Sequence, residues 1–268
     1  FTDMKRTALF ALTLIASPAG AEMLRQEDIL QAELRPGWRE ADGRQIAALH
    51  LRLAQGWKTY WRAPGDAGVP PEFDWSASTN LGQVHLHWPR PELFDFQGMQ
   101  TIGYAQELVL PVEITPQDPS QPVTLHAAVA LGLCKDICMP AEVTLAGGLA
   151  MPGAPDALIA AALTDQPIPG DKAGLTALKC AVEPIRDGLR VTASMVLPAG
   201  QGPETVVMEP AAPVWVSDAV VTRAGDSLTA TADLVPLPGQ PFDLDPATLR
   251  LTMLSTGRAI EVTGCPLH

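Results

Sequence analysis

Along most of this chain apolar and polar residues alternate with a period of two, the signature of strands with one buried face. Leu49, Leu51 and Leu53 point one way while His50 and Arg52 point the other, and Val123, Leu125, Ala127 and Val129 repeat the pattern. Residues 108–114 (LVLPVEI) predict a further strand, and Pro111, which cannot donate to a ladder, places that strand at a sheet edge. The pattern predicts more strands over residues 189–196, 214–221, 228–234 and 249–254. One stretch, residues 156–164 (DALIAAALT), reads as a helix, with Pro155 and Asp156 as its start signal and Pro167 as its stop.

Short strands at regular spacing without intervening helices favour a sandwich over a βαβ sheet. The 26 prolines and 22 glycines fit many short, turn-punctuated segments. The expected architecture is all-β: two tandem β-sandwiches, over residues 22–150 and 171–268, joined by a connector with a short helix over residues 151–170. No sequence repeat links the halves.

The first 21 residues read as a signal peptide. Lys5 and Arg6 form a basic region, residues 7–17 an apolar run too short to span a bilayer, and Ala19, Gly20 and Ala21 a cleavage site. Phe1 to Asp3 precede an apparent start at Met4. No later stretch is long and apolar enough for a transmembrane helix, so a soluble exported protein is expected. The formal charge of −12 argues against nucleic acid or an anionic membrane as partner, since both require clustered Lys and Arg.

Four cysteines in an exported chain are read first as disulfides, and four allow three pairings. Proximity and the division of the chain suggest Cys134 with Cys138 and Cys180 with Cys265. Loop entropy separates the two: closing the long loop stabilises by roughly 4–5 kcal/mol, the short one by about 2. Cys180 and Cys265 therefore suit a structural staple. The tight ring adds little to the fold and is easier to reduce, which favours redox chemistry at Cys134 and Cys138. Residues 133–140 would form a hairpin tip with both sulfurs within reach of a partner. Lys135 favours a thiolate there and Asp136 opposes it. Spacing alone leaves open a plain hairpin-tip disulfide.

No metal or other cofactor is expected. A four-cysteine zinc site conflicts with the wide separation of Cys180 and Cys265, and an exposed polar strand face explains His85 and His87 more simply than a metal ion does. Nucleophile elbow, metal-ligand helix and Gly-rich phosphate loop are all missing, and His50, His85, His87 and His126 have no partner that the sequence identifies.

The run Gly56-Trp57-Lys58-Thr59-Tyr60-Trp61-Arg62-Ala63-Pro64-Gly65-Asp66-Ala67-Gly68 is similar to a signature of the periplasmic N-terminal (alpha) domain of the DsbD/ScsB thiol:disulfide interchange proteins. Pro91-Glu92-Leu93-Phe94 with Gly103-Tyr104, then Leu110-Pro111-Val112, then the segment from Cys134 to Pro140 follow in matching order. The second half resembles the extra sandwich of the ScsB-type branch more loosely. Cysteine spacing is shorter here than in the best-known members, and neither their membrane domain nor their C-terminal thioredoxin-like domain is found, so a stand-alone form is expected.

The resemblance implies immunoglobulin-like sandwiches acting as a thiol-disulfide oxidoreductase component, a protein-disulfide reductase working in the periplasm. Electrons would come from a membrane-embedded thiol donor, a separate chain, and go to periplasmic thioredoxin-fold proteins that isomerise disulfides or serve cytochrome c biogenesis. Cys134 and Cys138 match the redox pair, Cys138 being the thiol that forms mixed disulfides. Phe94, Asp95, Phe96, Gln97 and Gly98 match a cap loop that shields the disulfide, with Phe96 as the lid and core packing as the alternative for either Phe. Trp57, Thr59 and Trp61 share a strand face and read as core. A monomer is expected. The competing reading is a non-enzymatic exported binding or assembly module with two structural disulfides.

Overall fold

The computed structural model describes residues 25–65, 67–96, 98–149, 151–237 and 242–267. The expected signal segment, residues 1–21, lies outside them. A four-residue helix, α1 (Gln26–Ile29), leads into ten strands: β1 (Leu30–Arg39), β2 (Gln45–Leu53), β3 (Lys58–Tyr60), β4 (Glu72–Asp74), β5 (Leu81–Leu86), β6 (Glu92–Phe96), β7 (Met99–Ala105), β8 (Glu107–Pro116), β9 (Thr124–Cys134) and β10 (Cys138–Gly148). They form two sheets, ordered β1-β2-β8-β5 and β10-β9-β3-β7-β6, with β4 added alongside β9. Alternation decides which faces meet. Leu49 and Leu51 of β2, Leu108, Leu110, Val112 and Ile114 of β8, and Leu125, Val129, Leu131 and Leu133 of β9 all enter one core. Trp57, Thr59 and Trp61 are buried on the same side.

Pro111 does not lie at an edge, because β8 runs between β2 and β5. Its carbonyl accepts from the His87 amide at 3.0 Å, and β5 has already ended at Leu86. N–H and C=O of one residue point to the same side in an antiparallel ladder, so the missing donor faces the side where the neighbouring strand stops. No ladder bond is lost.

The helix α2 (Ala157–Thr164) starts where Asp156 accepts hydrogen bonds from the Leu158 and Ile159 amides. Its Ile159 and Ala162 cover Ile46, Ala48 and Val109 on the outer face of the first sheet, and Arg35 holds Asp156 at 2.7 Å. The connector thus buries a sheet face that alternation had left to solvent. His50, on that face, is 2% exposed, with Glu33 at 2.7 Å on one ring nitrogen and Glu107 at 2.6 Å on the other.

The remaining strands are β11 (Ile168–Pro169), β12 (Ala177–Ile185), β13 (Gly188–Val196), β14 (Thr205–Glu209), β15 (Trp215–Val216), β16 (Val220–Ala224), β17 (Ser227–Val235), β18 (Arg250–Ser255) and β19 (Arg258–Thr263). They make a second pair of sheets, β11-β19-β18-β14 and β12-β13-β17-β15 with β16 on β17, around a second core. The single strand expected over residues 214–221 is broken in two. Ser217 interrupts it, its hydroxyl accepting the Asp233 amide at 2.9 Å. Cys180 and Cys265 form a disulfide inside this core, each 1% exposed. The fold is all-β and immunoglobulin-like.

The halves are joined by more than the connector. Leu254 and Ala259 are buried in the first core. Arg62, just past β3, makes two hydrogen bonds to Glu209 at 2.8 and 3.0 Å and one to Glu261 at 2.5 Å. Its guanidinium also lies 4.2 Å from the Trp61 ring centre. No helix among the described residues is long and apolar enough to cross a membrane.

Candidate functional site

The strand β9 keeps its odd-numbered residues in the core and turns its even-numbered ones outward. Cys134 is its last residue, Cys138 opens β10, and the two are paired in register with Cα atoms 4.2 Å apart. A disulfide joins them across a turn of Lys135, Asp136 and Ile137, closed by the Lys135 amide donating to the Ile137 carbonyl at 2.9 Å. The two sulfurs are not equivalent. Cys134 is 1% exposed, whereas Cys138 is exposed beside an exposed Ile137.

Next to β9 lies β3, with Lys58 opposite Cys134 and Thr59 opposite Leu133. Thr59 belongs to the core face, so Lys58 and Tyr60 share the outer face with the disulfide. The Tyr60 hydroxyl is 2.8 Å from the Cys134 sulfur and 3.6 Å from that of Cys138. Gly132 permits this approach, since a Cβ there would sit 2.9 Å from a Tyr60 ring carbon. Burial pushes the Tyr60 hydroxyl above the ordinary tyrosine range, which keeps it a proton-bearing donor toward sulfur.

The hairpin of β6 and β7 completes this face. Phe94 pairs with Thr101. The Lys58 ammonium lies 4.9 Å from the Phe94 ring centre and 3.3 Å from the Thr101 hydroxyl. Phe94 therefore belongs to the disulfide face, and its ring covers the neighbour of Cys134. Asp95 accepts the Gly98 amide at 3.2 Å and holds the bend. Gln97 and the Phe96 side chain, the expected lid, lie outside the described residues. A cleft of about 710 Å³ runs between this hairpin and the cysteine turn, lined by Lys58, Phe94, Asp95, Lys135 and Asp136 among others. Lys135 turns away from the sulfurs and donates to the Gln55 carbonyl at 3.5 Å.

Sequence reasoning passed over Tyr60 and Lys58. Parity held the signal: once Trp57, Thr59 and Trp61 are assigned to the core, the residues between them must face outward. His87 is engaged by Glu113 at 3.1 Å, with the His85 ring at 4.6 Å. Among the described residues no group of three or more His, Cys, Asp or Glu gathers as a metal centre would require.

Comparison with known proteins fits this geometry. The chain is similar to the crystal structure of the N-terminal periplasmic domain of ScsB from Proteus mirabilis, with 25% sequence identity and a TM-score of 0.63. The match covers 88% of this chain and 92% of that one, so it spans both pairs of sheets. No curated protein sequence matches the chain. The family model described as "Thiol:disulfide interchange protein DsbD, N-terminal" matches residues 22–149, which contain the cysteine turn, β3 and the β6–β7 hairpin. Residues 22–149, a little under half of the chain, thus match the DsbD N-terminal family of thiol:disulfide interchange proteins, and the chain as a whole is similar in structure to a periplasmic domain of ScsB.

Proposed function

We propose that the chain relays electrons in the periplasm by disulfide exchange at Cys134 and Cys138, between a membrane-embedded thiol donor and thioredoxin-fold acceptors. In this reading residues 22–150 form the redox unit, residues 171–268 a second sandwich stapled by Cys180 and Cys265, and residues 94–98 a cap. The asymmetry of the two sulfurs carries the proposal: one is open to a partner and the other is held 2.8 Å from a hydroxyl beneath it.

In the reduced protein the Cys138 thiolate attacks a sulfur of the acceptor disulfide. A new S–S bond forms, and the acceptor's other sulfur leaves as a thiolate and takes a proton. Cys134, as thiolate, then attacks the Cys138 sulfur and expels the acceptor's remaining thiol. Two electrons have passed to the acceptor, each of its sulfurs has left as a thiolate and taken a proton from solvent, and the internal disulfide is restored. Reduction by the membrane donor runs these steps in reverse.

Trapping tests the division of labour. Cys134→Ser should accumulate covalent adducts with periplasmic thioredoxin-fold proteins, visible on non-reducing gels and lost with reductant. Cys138→Ser should trap far less. Equal trapping would overturn the assignment of Cys138, and no trapping by either variant would favour a binding module with two structural disulfides.

A further inference from the structure

The relay proposed above, on which this inference rests, requires Cys134 to act as a thiolate when it resolves the mixed disulfide. Burial opposes that, because a thiol removed from water resists ionisation unless positive charge or donors compensate. Among the described residues, the ionisable groups around this face can be compared one by one. Tyr60 offers a neutral hydroxyl. Asp136 in the turn and Glu92 and Asp95 on β6 carry the wrong sign. Lys135 is turned toward Gln55, and Arg62 is engaged by Glu209 and Glu261. Lys58 has the right sign and the right address, since its Cα lies directly opposite Cys134 in the ladder. Such cross-strand pairs hold their Cβ atoms roughly 4.5–5.5 Å apart on one face.

Two of the contacts of Lys58 are with neutral groups. Lys58 is 9% exposed, with the ammonium over the Phe94 ring and beside the Thr101 hydroxyl. We propose that Lys58 supplies the positive charge that keeps Cys134 ionised in the reduced protein, while Phe94 and Thr101 hold that charge in reserve when the pair is oxidised. A disulfide is neutral and makes no demand on the ammonium. Reduction creates an anion one strand away, in a water-poor site where opposite charges attract strongly. Four side-chain torsions let the ammonium swing toward it. Burial already pushes Lys58 below the ordinary lysine range, against the opposing pull of Asp95, and a thiolate across the ladder would draw it back up. Lys58 forms no bond in the exchange; it sets the charge state of the sulfur that does.

The test reads acidity directly. In a Cys138→Ala background, with Cys180 and Cys265 still bridged, Cys134 is the single free thiol, and its ionisation follows from ultraviolet thiolate absorbance against pH. Adding Lys58→Met should lower the thiolate fraction near neutral pH by roughly tenfold or more, whereas Lys58→Arg should restore most of it. An unmoved curve in Lys58→Met, or equal displacement by Met and Arg, overturns the proposal. Should the variants fail to fold, the unmodified protein decides the matter. Coupling is reciprocal, so the Lys58 amine, followed by NMR, must titrate higher in the reduced protein than in the oxidised one, and identical titrations overturn the proposal. Failure of the relay itself looks different, since adduct trapping would then be absent while the thiol titration still depended on Lys58.

Discussion

Two disulfides of the same chain have taken opposite positions. Cys180–Cys265 spans 85 residues and has both sulfurs buried in the second core, with Cα atoms 5.6 Å apart. Cys134–Cys138 spans four, stands at the end of a hairpin and leaves Cys138 an exposed residue. A long closed loop restricts the unfolded chain far more than a five-residue ring does, and burial bars any thiolate from approaching along the S–S axis. One bond is therefore built to persist. The other adds little to stability and keeps an open end.

Removing each bond should separate them most sharply. Cys180→Ala with Cys265→Ala should cost about 4–5 kcal/mol in denaturant unfolding, and Cys134→Ala with Cys138→Ala no more than about 2. Equal losses would break the comparison.

A non-covalent anchor gives the scale between them. Asp156→Ala removes both the helix cap and the partner of Arg35 and should cost about 1–2 kcal/mol. Burial pushes the Asp156 carboxyl up, but Arg35 and the Ile159 and Leu158 amides outweigh it and leave the group below the usual carboxylate range. A depressed acid stabilises the fold above its unfolded pKa and loses that contribution as pH falls through the folded one. The gap between wild type and variant should hold at neutral pH, shrink below about pH 4 and close under more acid conditions. A gap that widened in acid would refute the ion-pair account.

The smallest effect on stability, and the most telling on reactivity, concerns the cap. Phe96→Ala should leave unfolding unchanged and speed alkylation of reduced Cys138, since a lid blocks the line of attack without supporting the core. Unchanged alkylation would make Phe96 ordinary packing and leave Phe94 as the aromatic that matters.

The legible parts were those that depend on local period. Alternation at Leu49, Leu51 and Leu53 and along residues 123–129 assigned the core faces, and the signals at Asp156 and Pro167 bracketed the helix. What escaped was set by non-local neighbours. Pro111 looked like an edge residue because a sequence does not say that the adjacent strand ends at Leu86. His50 looked solvent-facing because nothing near it announces that its ring meets Glu33 and Glu107, or that α2 covers the same sheet face. At the site, the cysteine turn was readable from two residues four apart. Tyr60 and Lys58 became visible only when β3 was laid beside β9.

Arg62 gives this arrangement a mechanical side. It continues the chain directly from Tyr60 and Trp61, so one short segment touches the Cys134 sulfur at one end and grips Glu209 and Glu261 at the other. Tandem sandwiches on a linker usually swivel. Here a swivel would pull a guanidinium off two carboxylates and expose Leu254 and Ala259 to water. The halves should tumble in solution as one body, so a force applied at the cysteine turn would be felt in the second pair of sheets as well.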